Sequence, residues 1–72
     1  MRAMDELDAK VILALANAGM NIAETARKLF THRNTVVYRV NKIARVTKLD
    51  PLNFYELHEL VKMVKRVDFD GR

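Results

Sequence analysis

The sequence predicts an all-α domain of four helices, and three observations support this fold class. The 72 residues include only two glycines and one proline, which are too few for the many turns of a sheet. Apolar side chains recur every three or four residues in four separate segments, which is the spacing of one helix face. Residues that commonly cap helices stand where these segments begin.

Composition limits both the fold and the surroundings of the chain. There is no cysteine, so the fold has to come from burial of the hydrophobic residues, which make up 50% of the chain. No apolar run approaches the roughly 18 residues that a membrane span needs. We therefore expect one soluble, cytoplasmic domain over residues 1–72.

The positive charge is concentrated in the middle of the chain. Residues 21–48 contain seven basic and one acidic residue, net +6, whereas residues 1–20 and 49–72 are each net −1. A basic segment of this kind is typical of a surface that binds phosphates, although a solvated face without a partner has the same composition.

The first two helices are predicted over residues 5–18 and 22–30. Asp5 caps the first helix, and Gly19 ends it. Asn21 and Glu24 have the spacing of a reciprocal capping box, and Ala23 and Ala26 are small enough to let another helix approach. The predicted inward residues are Leu7, Val11, Ile12, Leu15 and Ala18 in the first helix, and Ile22, Ala26 and Leu29 in the second.

The last two helices are predicted over residues 32–47 and 53–66, separated by a break at Pro51. Asn53 and Glu56 repeat the capping spacing, and residues 68–72 are expected to form a frayed tail. The predicted inward residues are Val36, Val40, Ile43 and Thr47 in the third helix, and Phe54, Leu57, Val61 and Val64 in the fourth.

The stretch from Asn21 to Ile43 carries the functional signal. A short helix, a tight turn and a longer basic helix follow one another, which is the layout of a helix-turn-helix that places its second helix in the major groove of DNA. Arg33 is suited to pair with guanine and Asn34 with adenine. The predicted DNA-binding residues are Thr31, His32, Arg33, Asn34, Thr35, Val37, Tyr38, Arg39, Asn41, Lys42 and Arg45.

Within this stretch, residues 24–43 read ETARKLFTHRNTVVYRVNKI. This run resembles the C-terminal helix-turn-helix of PucR/CdaR-type bacterial transcriptional regulators, and Thr47-Lys48-Leu49-Asp50 occupies the place of a further segment of that family. The resemblance implies a Fis-like fold with a homeodomain-like three-helical core, and sequence-specific binding of double-stranded DNA in transcriptional regulation. It also implies an upstream sensor domain if the chain is a fragment; a free-standing protein agrees with the sequence equally well.

Val37 departs from the family pattern, which often has a basic residue at this position. An exposed valine could contact a thymine methyl group, or it could mark weaker phosphate binding. The same residue favours an alternative function, in which the domain is a protein–protein interaction or dimerisation module without DNA binding. An RNA-binding helical module is a further alternative.

Other function classes find little support in the sequence. His32 and His58 are far apart, no metal-ligand spacing occurs, and no catalytic triad or phosphate loop can be assembled. We expect no enzyme activity, no metal and no cofactor. Leu13, Met63 and Val67 add apolar surface beyond one small core, so we expect a homodimer that presents two recognition helices.

Overall fold

A computed structural model describes residues 4–66 of the protein. Its regular structure in this range consists of four helices and no strand: α1 (Glu6–Asn17), α2 (Ile22–Lys28), α3 (Arg33–Thr47) and α4 (Phe54–Arg66). The all-α prediction is therefore confirmed. The expected tail at 68–72 and the position of Val67 lie outside the described residues, and the assignment of residues 1–72 to one domain stays a prediction.

Helix α1 is the centre of the fold, because it packs against each of the other three helices, while α2 also packs against α3. The capping box of α1 is formed by two acidic residues: the Asp8 amide donates to Oδ1 of Asp5 at 2.8 Å, and the Asp5 amide donates to Oδ2 of Asp8 at 3.3 Å. Gly19 ends the helix at φ 64°, a left-handed conformation that glycine adopts without steric cost.

The core contains apolar residues from all four helices. Ile12 and Leu15 of α1, Val36 and Ile43 of α3, and Leu60 of α4 have no exposed surface. The inward stripe predicted for α3 is confirmed at its first three positions, since Val40 is also buried, whereas Thr47 is half-buried. The stripes of the four helices meet in one close-packed core.

Two residues at helix starts were predicted to face inward and do not. Leu7 is 44% exposed and lines an open groove of about 300 Å³ together with Val11 and Leu29. Phe54 is 65% exposed at the first residue of α4. Both residues lie in the first turn of their helices, and the buried residues of α4 are Leu57, Leu60 and Val64, so its stripe is rotated away from Phe54.

The second helix is also shorter and capped differently from the prediction. It ends at Lys28 instead of residue 30, and the small residue Ala23 is exposed, whereas Thr25 is fully buried. Asn21 accepts a hydrogen bond from the Glu24 amide at 2.8 Å, but the Glu24 carboxylate pairs with an arginine instead of completing the box. Hence only half of the predicted reciprocal cap forms.

At the start of α4, Asn53 caps the helix as predicted, but Glu56 bonds to Asp50 and not back to Asn53, so the reciprocal half of the box does not form. The amide of Glu56 donates to Oδ1 of Asn53 at 3.1 Å, and the Glu56 carboxylate accepts from the amide of Asp50. Leu13 and Met63, which were expected to be surplus apolar surface, are partly buried and pack against the core.

Candidate nucleic-acid interface

Four residues between α2 and α3 form a compact turn. Leu29 ends α2, Phe30 follows at φ 55°, and the amides of Phe30 and Thr31 donate to the carbonyls of Arg27 and Ala26 at 3.2 and 3.0 Å. This is the hydrogen-bond pattern of a Schellman motif, which normally has glycine at the left-handed position. The turn therefore ends α2 abruptly and places His32 as the N-cap of α3.

The outward face of α3 is polar and open to solvent. Asn34, Tyr38, Asn41 and Arg45 follow one another at intervals of four, three and four residues, and all four are exposed. They lie opposite the buried stripe of the same helix. The structure thus brings together an amide, a phenol, a second amide and a guanidinium in one row.

The turn and the N-terminal end of α3 add further polar groups to this face. His32, Arg33 and Thr35 are exposed, and Thr31 is half-buried. His32 is the capping residue of α3 by backbone conformation, but its side chain makes no capping hydrogen bond. The imidazole is therefore not used to begin the helix.

Arg39 and Lys42 occupy the flank of α3 that faces α1. Nη1 of Arg39 lies 3.0 Å from Oδ1 of Asp8, and Nζ of Lys42 lies 2.8 Å from Oδ2 of the same carboxylate. The two cationic side chains are only 20% and 23% exposed, and the Asp8 side chain has no exposed surface. Lys42, one of the predicted DNA-binding residues, therefore spans the joint between two helices.

Asp5 joins this cluster from the start of α1. Its carboxylate lies 3.3 Å from Arg39 and 3.5 Å from Lys42. Hydrogen bonding from the Asp8 amide, together with the two cations, lowers the pKa of Asp5 to about 2. Hydrogen bonds to Asp8 raise the pKa of both Arg39 and Lys42, so all three groups are charged at neutral pH.

Sequence reasoning assigned Asp5 and Asp8 only to the start of α1 and missed their role in this cluster. A signal was present, because Asp8 lies four and seven residues before Ile12 and Leu15 and therefore falls on the buried stripe of α1. A carboxylate at such a position needs a cationic partner. Which of the many cations supplies it cannot be read from spacing.

The two cations of α2 differ in their partners, since Arg27 is in an ion pair and Lys28 is exposed. Arg27 pairs with Glu24 on the surface of the helix, and this hydrogen bond is the main reason why the pKa of Glu24 is lowered. Lys28 is exposed at the end of α2, and Lys48 is exposed at the end of α3. Val37, the departure from the family pattern, is half-buried on the flank of α3.

Phe30 was not singled out by the sequence and is the most exposed large apolar residue among those that the structure describes, at 96%. It stands in the turn between the two helices, next to Thr31. A left-handed conformation is unusual for a residue with a bulky side chain. The hydrogen bonds of the turn hold the phenyl group in solvent beside the polar face of α3.

A short helix, a compact turn and a second helix with one buried and one polar face define a helix-turn-helix domain. A family model described as the PucR C-terminal helix-turn-helix domain matches residues 9–64. The chain belongs to the PucR C-terminal helix-turn-helix family, as the run at residues 24–43 predicted. No curated protein and no solved structure matches the chain significantly.

Membership of this family indicates DNA binding in transcription regulation. Among the described residues, no helix is both long and apolar enough to span a membrane. Within residues 4–66 there is also no group of three or more His, Cys, Asp or Glu side chains placed to hold a metal ion.

Proposed function

We propose that the protein binds double-stranded DNA sequence-specifically, with α3 in the major groove. The observation that carries this proposal is the row of exposed polar side chains, Asn34, Tyr38, Asn41 and Arg45, opposite the buried stripe of α3. A buried stripe holds the helix against the domain, so that its other face is free to enter a groove. Amide and guanidinium groups are the side chains that form paired hydrogen bonds with adenine and guanine.

The N-terminal end of α3 supplies the base contacts in this proposal. Arg33 and Asn34 are exposed in the first turn of the helix, which is the part that enters the groove most deeply in helix-turn-helix domains. Thr31, His32 and Thr35 surround them and contact sugar and phosphate groups. Val37 contributes to the groove surface only with its exposed portion, because the remainder packs on the domain.

The electrostatic contribution is smaller than the net charge of residues 21–48 suggests. Arg39 and Lys42 are compensated by Asp5 and Asp8, and Arg27 is compensated by Glu24. The cations that are exposed and make no ion pair within residues 4–66 on or beside this face are Lys28, Arg33, Arg45 and Lys48. Four phosphate contacts predict that log K falls with log[salt] at a slope of roughly −3 to −4 per protein chain.

A matched pair of arginine variants tests the placement of the interface. Arg45→Ala removes a cation from the proposed interface, and Arg66→Ala removes the same charge from the exposed end of α4. Binding to a site selected from a random duplex pool is followed by fluorescence anisotropy. We expect Arg45→Ala to weaken binding by roughly fivefold or more and to flatten the salt slope by about 0.9. Arg66→Ala should change affinity less than twofold.

An equal effect of the two variants would show that the affinity follows total charge and not α3. Asn34→Ala supplies the test of base recognition, since it leaves the charge unchanged. We expect it to cost roughly 1–3 kcal/mol on the selected site and to leave the affinity for random duplex DNA unaltered. If Asn34→Ala weakened binding equally to the selected site and to random duplex DNA, Asn34 would not contact a base.

We also propose that the protein forms a homodimer through the start of α4. Leu52, Phe54 and Tyr55 are 47%, 65% and 78% exposed, and the two aromatic rings contact each other edge to face with centroids 5.4 Å apart. An exposed apolar group of this kind is typical of a surface that binds another protein. A two-fold dimer would place two copies of α3 about one turn of DNA apart, roughly 34 Å.

The dimer is tested by sedimentation velocity at increasing protein concentration. We expect the wild-type protein to show a concentration-dependent dimer and Phe54→Ser/Tyr55→Ser to stay monomeric with an unchanged helical circular-dichroism spectrum. A wild-type protein that remains monomeric up to several hundred micromolar would contradict the dimer but not DNA binding. An upstream sensor domain, which the family resemblance implies, stays a prediction.

A further inference from the structure

We infer that Arg39 and Lys42 are positioning residues: Asp8 and Asp5 clamp them to α1, so that they orient α3 and do not neutralise DNA phosphates. This inference rests on the proposed function, because it concerns how α3 is held for contact with DNA. It assigns to four residues a role that the distribution of charge along the chain alone does not indicate.

The geometry of the cluster is that of a two-point attachment. The two oxygens of the Asp8 carboxylate each bind a different cation, Oδ1 to Arg39 at 3.0 Å and Oδ2 to Lys42 at 2.8 Å. Asp5 adds longer contacts to both cations from the preceding turn of chain. Arg39 and Lys42 are three residues apart and therefore adjacent along one flank of α3. Two attachments on one flank resist rotation of the helix about its own axis.

The rotation of α3 decides which side chains face outward. A helix turns by about 100° per residue, so a rotation of roughly half that angle would move Tyr38 and Asn41 to the edge of the outward face. The apolar stripe alone tolerates some sliding, because Val and Ile side chains make non-directional contacts. Hydrogen bonds to a buried carboxylate are directional, and they define one orientation.

The same contacts keep the two cations away from phosphates. Asp8 has no exposed surface, and a buried carboxylate that loses its partners is strongly unfavourable. Drawing Arg39 or Lys42 toward DNA would therefore leave an unpaired charge inside the protein. The pKa values of Arg39 and Lys42 are raised because both cations donate hydrogen bonds to the same carboxylate, that of Asp8. Their contribution to counterion release on DNA binding should be close to zero.

The slope of log K against log[salt] distinguishes a positioning residue from a phosphate contact. We compare Arg39→Met, Lys42→Met and Arg45→Met on random duplex DNA, with the folded fraction checked by circular dichroism. Arg45→Met should flatten the slope by about 0.9, whereas Lys42→Met and Arg39→Met should leave it within about 0.2 of wild type. On the selected site, Lys42→Met should still bind at least threefold more weakly, because α3 is less firmly oriented.

The outcomes separate the two ideas. If Arg45→Met and Lys42→Met both flatten the slope by about one contact, DNA binding stands and the positioning role is overturned. If no variant changes the slope, the proposed function itself fails. Arg39→Met is the variant more at risk of unfolding. If it does not fold, the salt slope of Lys42→Met is sufficient to test the positioning role, because Asp8 keeps Arg39 as a partner in that variant.

Asp8→Asn gives an independent gain-of-binding test. Asparagine has nearly the same shape as aspartate but no charge, so this variant should release Arg39 and Lys42 from α1. We expect binding to random duplex DNA to tighten by at least threefold and the slope of log K against log[salt] to become steeper. Glu59→Gln is the matched control, since it removes one negative charge from α4 and releases Lys62 from a 3.2 Å ion pair. A folded Asp8→Asn protein that behaves like Glu59→Gln on DNA would overturn the inference; an unfolded one would leave the decision to the Lys42→Met slope.

Discussion

The inward stripe of α3 can be tested by making the same deletion at two positions of that helix. Val40 is 4% exposed and Val46 is 41% exposed, and replacing either by alanine removes two methyl carbons. Both changes also gain the same helix propensity, about 0.5 kcal/mol. The difference between the two variants therefore reports burial and the cavity that each deletion leaves.

The expected magnitude follows from these exposures. Each buried carbon contributes about 0.8 kcal/mol, so deletion at Val40 costs roughly 1.5 kcal/mol in transfer energy, to which an unfilled cavity adds up to about 1 kcal/mol. After the propensity gain, Val40→Ala should lower the free energy of unfolding by about 1–2 kcal/mol. Val46→Ala should change it by less than about 0.5 kcal/mol, because much of the side chain is already in water.

Urea denaturation followed by circular dichroism measures both values, and thermal melts provide a check. A difference of about 1 kcal/mol corresponds to roughly 4–8 °C in Tm for a domain of this size. Equal destabilisation, or a larger loss at Val46, would refute the inward orientation of Val40 and of the stripe to which it belongs. The proposed interface would then be invalid as well, since it is defined as the face opposite the stripe.

Three further predictions concern stability. Asp5 has a pKa lowered to about 2 from 3.8, so its stabilising contribution is complete above the higher value and is lost as the pH falls through the lower one. With its side chain 49% exposed, we expect a contribution of about 1 kcal/mol, and Asp5→Asn, which keeps the capping acceptor, should flatten urea stability between pH 4 and 2. Lys48 is at φ 64° and exposed, so Lys48→Gly should stabilise the protein by about 0.5–1 kcal/mol; a lower Tm would contradict the strain argument. Gly19→Ala should cost about 1 kcal/mol through backbone strain alone, since a Cβ there meets no atom within 4 Å, and an unchanged melting curve would argue against the left-handed turn.

Much of the fold could be predicted because its signals are local. A capping residue, a repeat of three or four residues and a stop residue are enough to locate a helix, and each predicted helix start lies within one residue of the observed one. Family membership could also be predicted, because the run at residues 24–43 is contiguous in the chain. The ends of the apolar stripes were less predictable: Leu7 and Phe54 have helical spacing, yet both are exposed.

Some features of the candidate interface could likewise be predicted from the sequence, and others could not. Its outward row was predictable from the position of the α3 stripe, since the residues opposite buried ones face solvent. The roles of Arg39 and Lys42 were not predictable, because their partner Asp8 lies more than 30 residues away in the chain. Phe30 was missed because nothing in the local pattern shows that α2 ends before it.

The sequence by itself determined that the chain is helical, that one helix presents polar groups opposite an apolar stripe, and that the domain is a PucR-type helix-turn-helix. Tertiary structure alone decided which cations on that helix are available to an anion and which are held by α1. The physical reason is that periodicity assigns a side chain to a face, whereas ion pairing depends on which distant segment packs against that face.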